Sequence, residues 1–240
     1  MSNERPWLDH YPAGVPEQID VNEYASVPAV LEEAFGRFSG RPAFASFGRQ
    51  LSYAQIDSMS RQFAGYLTGV LKLGKGDRIA IMMPNVLQYP IALFGALRAG
   101  LVVVNTNPMY TGRELKHQLE DSGAKAIVVL DNFAATLQHV MAETQVQHVI
   151  TTGLGDLLGF PKGALINFVL KHVKKMVPAF DLPQAVRFRD ALARGAAHPL
   201  QQVALGHDDV AFLQYTGGTT GVAKGAMLTH GNMIANMLQA

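Results

Sequence analysis

Near the end of the chain, Tyr215, Thr216, Gly217, Gly218, Thr219, Thr220, Gly221, Val222, Ala223, Lys224 and Gly225 gather glycines, hydroxyls and one cation into a short run. Each residue type suits a polyphosphate for a different reason. Gly217, Gly218 and Gly221 tolerate positive φ and, lacking Cβ, let backbone N–H groups close on an anion. Thr216, Thr219 and Thr220 offer hydroxyls to phosphate oxygens or to the water shell of a metal ion. Lys224 supplies a compact charge for the outer phosphates. Short strands are predicted over 208–212 and 226–228, so the run is a loop between two strands. A plain turn needs one or two glycines and neither the threonines nor the lysine. A polyphosphate is the ligand this composition fits.

Other glycine runs do less. Gly69, Gly74, Lys75 and Gly76 approach the Walker A spacing, but that motif needs Ser or Thr after its lysine and a helix behind it. The run falls where a helix should end and is read as its C-terminal turn. Gly153 and Gly155 lack the third glycine of the dinucleotide-binding register. The 215–225 run is not a Walker A loop either, because a strand follows Lys224.

Positioning such a loop requires a rigid sheet, and hydrophobic period predicts one. Strands are expected over 78–82, 101–105, 126–130 and 146–151, alternating with helices over 88–99, 111–122 and 133–142. Thr111 and Glu114 form a capping box at the start of the second of these helices. Ahead of them, Val30, Leu31, Ala34, Phe35 and Phe38 mark a helix within 27–38. Strands over 43–47 and 50–53 flank Gly48 and Arg49 as a hairpin. Ile56, Met59, Phe63, Leu67 and Leu71 then mark an amphipathic helix. The fold class is α/β, a mostly parallel β-sheet flanked by helices on both faces.

Residues 1–26 are rich in proline and polar side chains and are expected to form an extended arm without a secretory signal. Residues 152–207 stand apart from the alternation. A helix over 164–177 would gather Leu165, Phe168, Val169, Val173, Met176 and Val177 on one face and Lys171, Lys174 and Lys175 on the other. Such a helix either lies on an anionic membrane surface or packs inward with its lysines solvated. The uncharged stretch 79–97 contains Pro84, Asn85, Gln88 and Pro90 and is a strand–turn–helix unit, not a membrane span.

The 240 residues are 48% hydrophobic and 16% charged, enough for a substantial core. A net charge of +1 predicts no partnership with nucleic acid. The absence of cysteine removes disulfides, thiolate nucleophiles and cysteine–zinc sites, and fits a cytoplasmic setting. His117 and His139 sit in helical patterns with no ligand-spaced partner, so no metal site is expected of them, and His230, at a predicted helix start, is read as structural. No Gly-x-Ser-x-Gly occurs, which sets aside the common serine-hydrolase arrangement.

The stretch Tyr-Thr-Gly-Gly-Thr-Thr-Gly-Val-Ala-Lys-Gly-Ala-Met-Leu-Thr-His, 215–230, resembles the signature loop of the adenylate-forming (AMP-binding) superfamily of acyl-CoA synthetases, luciferases and peptide-synthetase adenylation domains. Trp7-Leu-Asp-His-Tyr-Pro12, Gly76-Asp-Arg-Ile-Ala-Ile-Met-Met-Pro-Asn85, Arg98-Ala-Gly, Val104-Asn-Thr-Asn-Pro108 and Glu114-Leu-Lys-His-Gln-Leu-Glu-Asp-Ser122 look like bacterial long-chain fatty acid–CoA ligases. Ala223 stands where the wider superfamily often has proline, which would stiffen the loop exit without moving the charge.

The resemblance implies the N-terminal part of the superfamily's large domain, incomplete, over 27–240, with the C-terminal domain absent. It implies a long-chain fatty acid, ATP and coenzyme A as substrates and Mg²⁺ as the metal, with Thr216 nearest the ion. Residues 216–224 would hold the β- and γ-phosphates, and Tyr215 would anchor the loop. The resemblance places no catalytic residue within the 240, so the chain alone is expected to be inactive: no acyl-hydroxamate should form from oleate, ATP and hydroxylamine. An adenylation domain for another carboxylic acid, or a non-catalytic nucleotide-binding or assembly module, would share the loop. A sheet missing later strands would expose edges, so a homo-oligomer is expected. Peripheral contact with the inner face of the membrane is the remaining expectation, from the 152–207 segment.

Overall fold

The computed structural model describes residues 5–216 and 223–239. The opening arm makes two 3-10 turns, Pro6–His10 and Val21–Glu23, that bury no side chain. Helix α1 (Val27–Arg37) leads into a hairpin of β1 (Pro42–Ser46) and β2 (Arg49–Ser52). Phe47 and Gly48 both take positive φ in the two-residue connection, the pairing that matches hairpin twist. Ser52 caps α2 (Tyr53–Gly65) in a reciprocal box with Gln55. The face expected of α2 and its continuation is the one buried. Ile56, Phe63 and Leu67 have no exposed surface, and burying such a side chain contributes about 1.5–3 kcal/mol. The helix ends in a π-helical turn at Tyr66–Val70, and the turn carrying Gly74 and Gly76 enters the sheet.

One seven-stranded sheet comprises β3 (Arg78–Met82), β4 (Val102–Asn105), β5 (Ala126–Leu130), β6 (His148–Thr152), β7 (Val186–Arg187), β8 (Val210–Thr216) and β9 (Lys224–Thr229). Their order is β7-β6-β5-β3-β4-β8-β9, parallel throughout except for the antiparallel β8–β9 pair. The helices are α3 (Gln88–Arg98), α4 (Gly112–Ser122), α5 (Ala134–Met141), α6 (Lys162–Phe168), α7 (Phe188–Gly195) and α8 (His230–Gln239). Side chains alternate across the strands. Ile79, Ile81, Val103 and Val128 therefore join α1, α2, α3 and α7 in one core, while Ala80, Met82, Val104 and Ile127 join α4 and α5 in the other.

Two departures fall in the 152–207 segment. The helix expected over 164–177 begins earlier and stops sooner: α6 gives way to a π-helical turn at Val169–Val173, and Lys175 takes a φ of 52° that no helix continues through. The buried side of α6 is also not the apolar stripe. Gly163 meets Gly155 backbone to backbone, so closely that a Cβ on either would lie 2.2 Å from the other's carbonyl oxygen. Asn167 accepts from the Gly155 amide at 2.7 Å and donates to Asp156 Oδ1 at 2.8 Å. A glycine pair allows this approach, so the small face packs and the large side chains turn outward. The short β7 and the amphipathic α7 complete the segment; α7 carries a helical signal in the sequence, since Phe188, Ala191, Leu192 and Gly195 recur at intervals of three and four and are all buried.

His230 opens α8 and is buried, with Nδ1 accepting from the Val27 amide at 3.2 Å. It ties the start of α1 to the last helix, a structural role as expected. Burial pushes its pKa below the ordinary 6.5, partly opposed by Asp209. The unfolded chain then takes up a proton that the folded chain resists. Stability held above pH 6.5 is lost as pH falls toward the folded pKa. Urea midpoints followed from about pH 7.5 to about pH 5 should fall, and should fall less steeply in His230→Gln.

Candidate nucleotide-binding site

The ends of β4 and β8 lie side by side, with Asn105 opposite Gln214. Beyond them the chain departs in opposite directions, β4 toward α4 and β8 into β9. Crevices of this kind, at the carboxyl ends of parallel strands, are where open α/β sheets bind ligands. Here the described residues of the candidate loop are its two stems. Gly217, Gly218, Thr219, Thr220, Gly221 and Val222 lie outside the described residues.

The stems pair in register. Tyr215 faces Gly225, and Thr216 faces Lys224. Cross-strand partners share a side of the ribbon, so the Thr216 hydroxyl and the Lys224 ammonium emerge together at its open end, both exposed. Among the described residues no carboxylate pairs with Lys224. Tyr215 points the other way, into the core beside α4. Gly225 has a packing role: a Cβ there would lie 2.9 Å from the Tyr215 ring.

Helix α4 holds both stems. Tyr215 donates its hydroxyl to Asp121 Oδ2 at 2.5 Å. Burial, reinforced by that carboxylate, holds the phenol well above the ordinary tyrosine range, so it stays a donor. One turn earlier, His117 Nε2 lies 3.0 Å from the Ala223 carbonyl, which makes that nitrogen the donor. His117 and Asp121 are four residues apart and share a helix face. The Thr111–Glu114 box fixes the start of α4, as expected, and Gly123 closes its end at a φ of 60°. Leu115 and Leu119 bury its inner face.

On the opposite side of the sheet a polar ladder spans the same strand ends. Tyr89 donates to Asn105 Oδ1 at 2.9 Å, and Asn105 Nδ2 donates to Gln214 Oε1 at 3.1 Å. From the α4 side, Gln118 donates to the Asn105 carbonyl at 2.9 Å. Among the described residues no group of three acidic or histidine side chains could hold a metal ion. The stems thus present one hydroxyl and one cation, a set suited to phosphate oxygens that bring their own metal.

A family model described as "AMP-binding enzyme" matches residues 31–240. The chain belongs to the AMP-binding enzyme family. The chain is 53% identical over 236 residues to a long-chain-fatty-acid–CoA ligase of Escherichia coli O157:H7, covering 98% of the chain and 42% of that protein. It is 54% identical over 237 residues to the Yersinia pestis ligase of the same name, covering 99% of the chain and 42% of that protein. Among solved structures it resembles a long-chain-fatty-acid-CoA ligase from Archaeoglobus fulgidus, with a TM-score of 0.69 at 25% identity, over 95% of this chain and 41% of that one. The chain therefore spans about two-fifths of the length of these curated relatives.

The sequence pointed to both stems of the loop but not to what holds them. In the sequence His117 carries only a helical position without a ligand-spaced partner, and Asp121 only its place in the 114–122 stretch. One signal was available: both lie on the edge of α4 beside the apolar Leu115 and Leu119 positions. Cutting either tie should loosen the stem it holds. Asp121→Ala, which strands the Tyr215 hydroxyl, is expected to lower stability by about 1–2 kcal/mol, read from urea unfolding. Tyr215→Phe should cost less, since the exposed Asp121 carboxylate then returns to water.

Proposed function

We propose that this chain forms the phosphate-holding part of a long-chain fatty acid–CoA ligase. In that reaction a fatty carboxylate oxygen attacks the α-phosphorus of ATP and pyrophosphate leaves. The thiolate of coenzyme A then attacks the acyl carbonyl of the adenylate, and AMP leaves. The single observation that carries the reading is the ribbon end. Thr216 and Lys224 face each other across the antiparallel β8–β9 ribbon, unpaired with carboxylates among the described residues, beside the carboxyl ends of β4 and β8. The similarity to long-chain ligases over 98% of the chain supports the acyl class.

In this reading residues 216–224 orient the β- and γ-phosphates so that the scissile bond lies in line with the attacking carboxylate. The Thr216 hydroxyl would be the protein group nearest a Mg²⁺ bound with the nucleotide, which would offset charge on the phosphate oxygens. Lys224 balances the charge that grows on the departing pyrophosphate. Both co-substrates place the enzyme in the cytoplasm.

The test is calorimetry with MgATP on this chain and on a chain extended to the length of its relatives, beside acyl-hydroxamate formation from oleate. Binding by both and turnover by the extended chain are expected. No MgATP affinity in the extended chain would defeat the reading. Turnover of shorter or aromatic acids in place of oleate would reassign the substrate. The outer edge of β9, where Met227 is 70% exposed, supports a homo-oligomer. Light scattering should show association that Met227→Lys weakens.

A further inference from the structure

On the face of β8 that carries Thr216, the next side chain inward is Gln214, because residues two apart along a strand share a face. The two positions lie about 7 Å apart along the strand. Their partners across the ribbon are Lys224 and Ala226. From its open end inward, one face of the β8–β9 ribbon therefore presents a hydroxyl and an ammonium, then a half-buried amide beside an exposed alanine. Phe212 and the half-buried Leu228 form the next pair.

The polar ladder fixes which way that amide points. Tyr89 has one hydroxyl proton, and its acceptor is Asn105 Oδ1 at 2.9 Å. Burial holds the phenol above its ordinary pKa, so the proton is kept. Asn105 must then turn Nδ2 toward Gln214, which accepts through Oε1 at 3.1 Å. With both amides reversed, the Tyr89 proton would have no acceptor among the described residues. Gln214 Nε2 is thus an outward donor without an acceptor among the described residues. A chain of hydrogen bonds running back to Tyr89 on α3 holds it there.

An uncharged donor beside apolar side chains suits the head of an amphiphilic acid better than a further phosphate. A cation here would bind a carboxylate strongly and blunt its attack. A neutral amide orients one carboxylate oxygen and leaves the other to form the bond to phosphorus as pyrophosphate departs. The order along the ribbon matches the reaction, with outer phosphates at the open end and the attacking group one step inward. We infer that Gln214 Nε2 donates to the carboxylate of the fatty acid, with Asn105 and Tyr89 as the positioning residues behind it. The inference rests on the proposed ligase reading and adds to it the residue that receives the acid.

The test uses the chain extended to the length of its relatives, with pyrophosphate release from oleate and MgATP as the assay. Gln214→Glu keeps the side-chain shape and the Asn105 contact but replaces the donor with a carboxylate. Its kcat/KM for oleate should fall about 10- to 100-fold at saturating MgATP. Gln214→Met, which removes the donor without adding charge, should fall less. Asn105→Ala, which frees the amide to rotate, should cost about three- to tenfold and should add little to Gln214→Glu, because both act through one contact. In every variant the KM for ATP and the calorimetric affinity for MgATP should stay within about twofold of the parent.

Turnover of oleate by Gln214→Glu and Gln214→Met at the parent kcat/KM would overturn the inference and leave the ligase reading standing. A KM for ATP that rises in step with that for oleate would reassign Gln214 to the nucleotide. Weakened MgATP affinity together with a lowered urea midpoint would make Gln214 a structural residue only. A parent chain with no MgATP affinity would instead defeat the ligase reading itself.

Discussion

Replacing Lys224 by Ala should lower adenylate formation by about 10²–10³-fold, equivalent to about 3–4 kcal/mol of transition-state stabilisation. The measurement is pyrophosphate release with oleate and MgATP, in a chain extended to the length of its relatives. Negative charge grows on the departing phosphates as the carboxylate adds to phosphorus, so a cation placed there acts more on the transition state than on bound ATP. kcat should therefore fall by more than the KM for ATP rises. Lys224 is exposed and without a carboxylate partner among the described residues, so the urea midpoint should move by less than about 0.5 kcal/mol. Lys224→Arg should recover part of the rate, limited because a planar guanidinium presents its charge differently from an ammonium. Activity of the alanine variant within about twofold of the parent would remove Lys224 from the chemistry.

The largest effect on the fold is expected from Gly195→Val. Helices α2 and α7 cross with their backbones nearly touching. A Cβ at Gly195 would lie 1.9 Å from the Gln62 carbonyl oxygen and 2.7 Å from the Tyr66 nitrogen. Gly65 makes the reciprocal approach, with a Cβ there 2.3 Å from the His198 carbonyl oxygen. Neither clash can be relieved by a side-chain rotation, because the obstructing atoms are backbone. The helices would have to separate, opening the packed Phe63–Phe188 pair, whose ring centroids are 5.1 Å apart. A loss of about 4 kcal/mol or more is expected, against a total stability of roughly 5–15 kcal/mol for a domain. The variant should be recovered mainly as aggregate or unfold at much lower urea. Gly36→Ala is the control with the opposite sign. It lies in α1 with nothing within 4 Å of a new Cβ, so it should be neutral or stabilising by up to about 1 kcal/mol.

Much of the molecule was legible in the residues themselves. The runs 78–82 and 126–130 became β3 and β5 with those bounds, because strands buried on both faces admit little but apolar residues. The capping box at Thr111 and Glu114 formed as expected because both of its hydrogen bonds join residues three apart, within one turn. The loop's residue types, glycines with hydroxyls and a lysine, carry the expectation of an anion that MgATP calorimetry tests.

Tertiary structure alone decided how that loop is held and which face of α6 is covered. Asp121 meets Tyr215 across 94 residues and His117 meets Ala223 across 106. No local period connects such pairs; only the pairing of β4 with β8, and the placing of α4 over the sheet, brings them together. The apolar stripe of 164–177 showed which side chains could be buried together, not that a surface existed to bury them. Where Gly155 and Gly163 allowed two backbones to meet, close packing won that contact for the small face and left the phenylalanines and leucine outside. Periodicity records the potential for burial, while the covering surface is a property of the assembled fold.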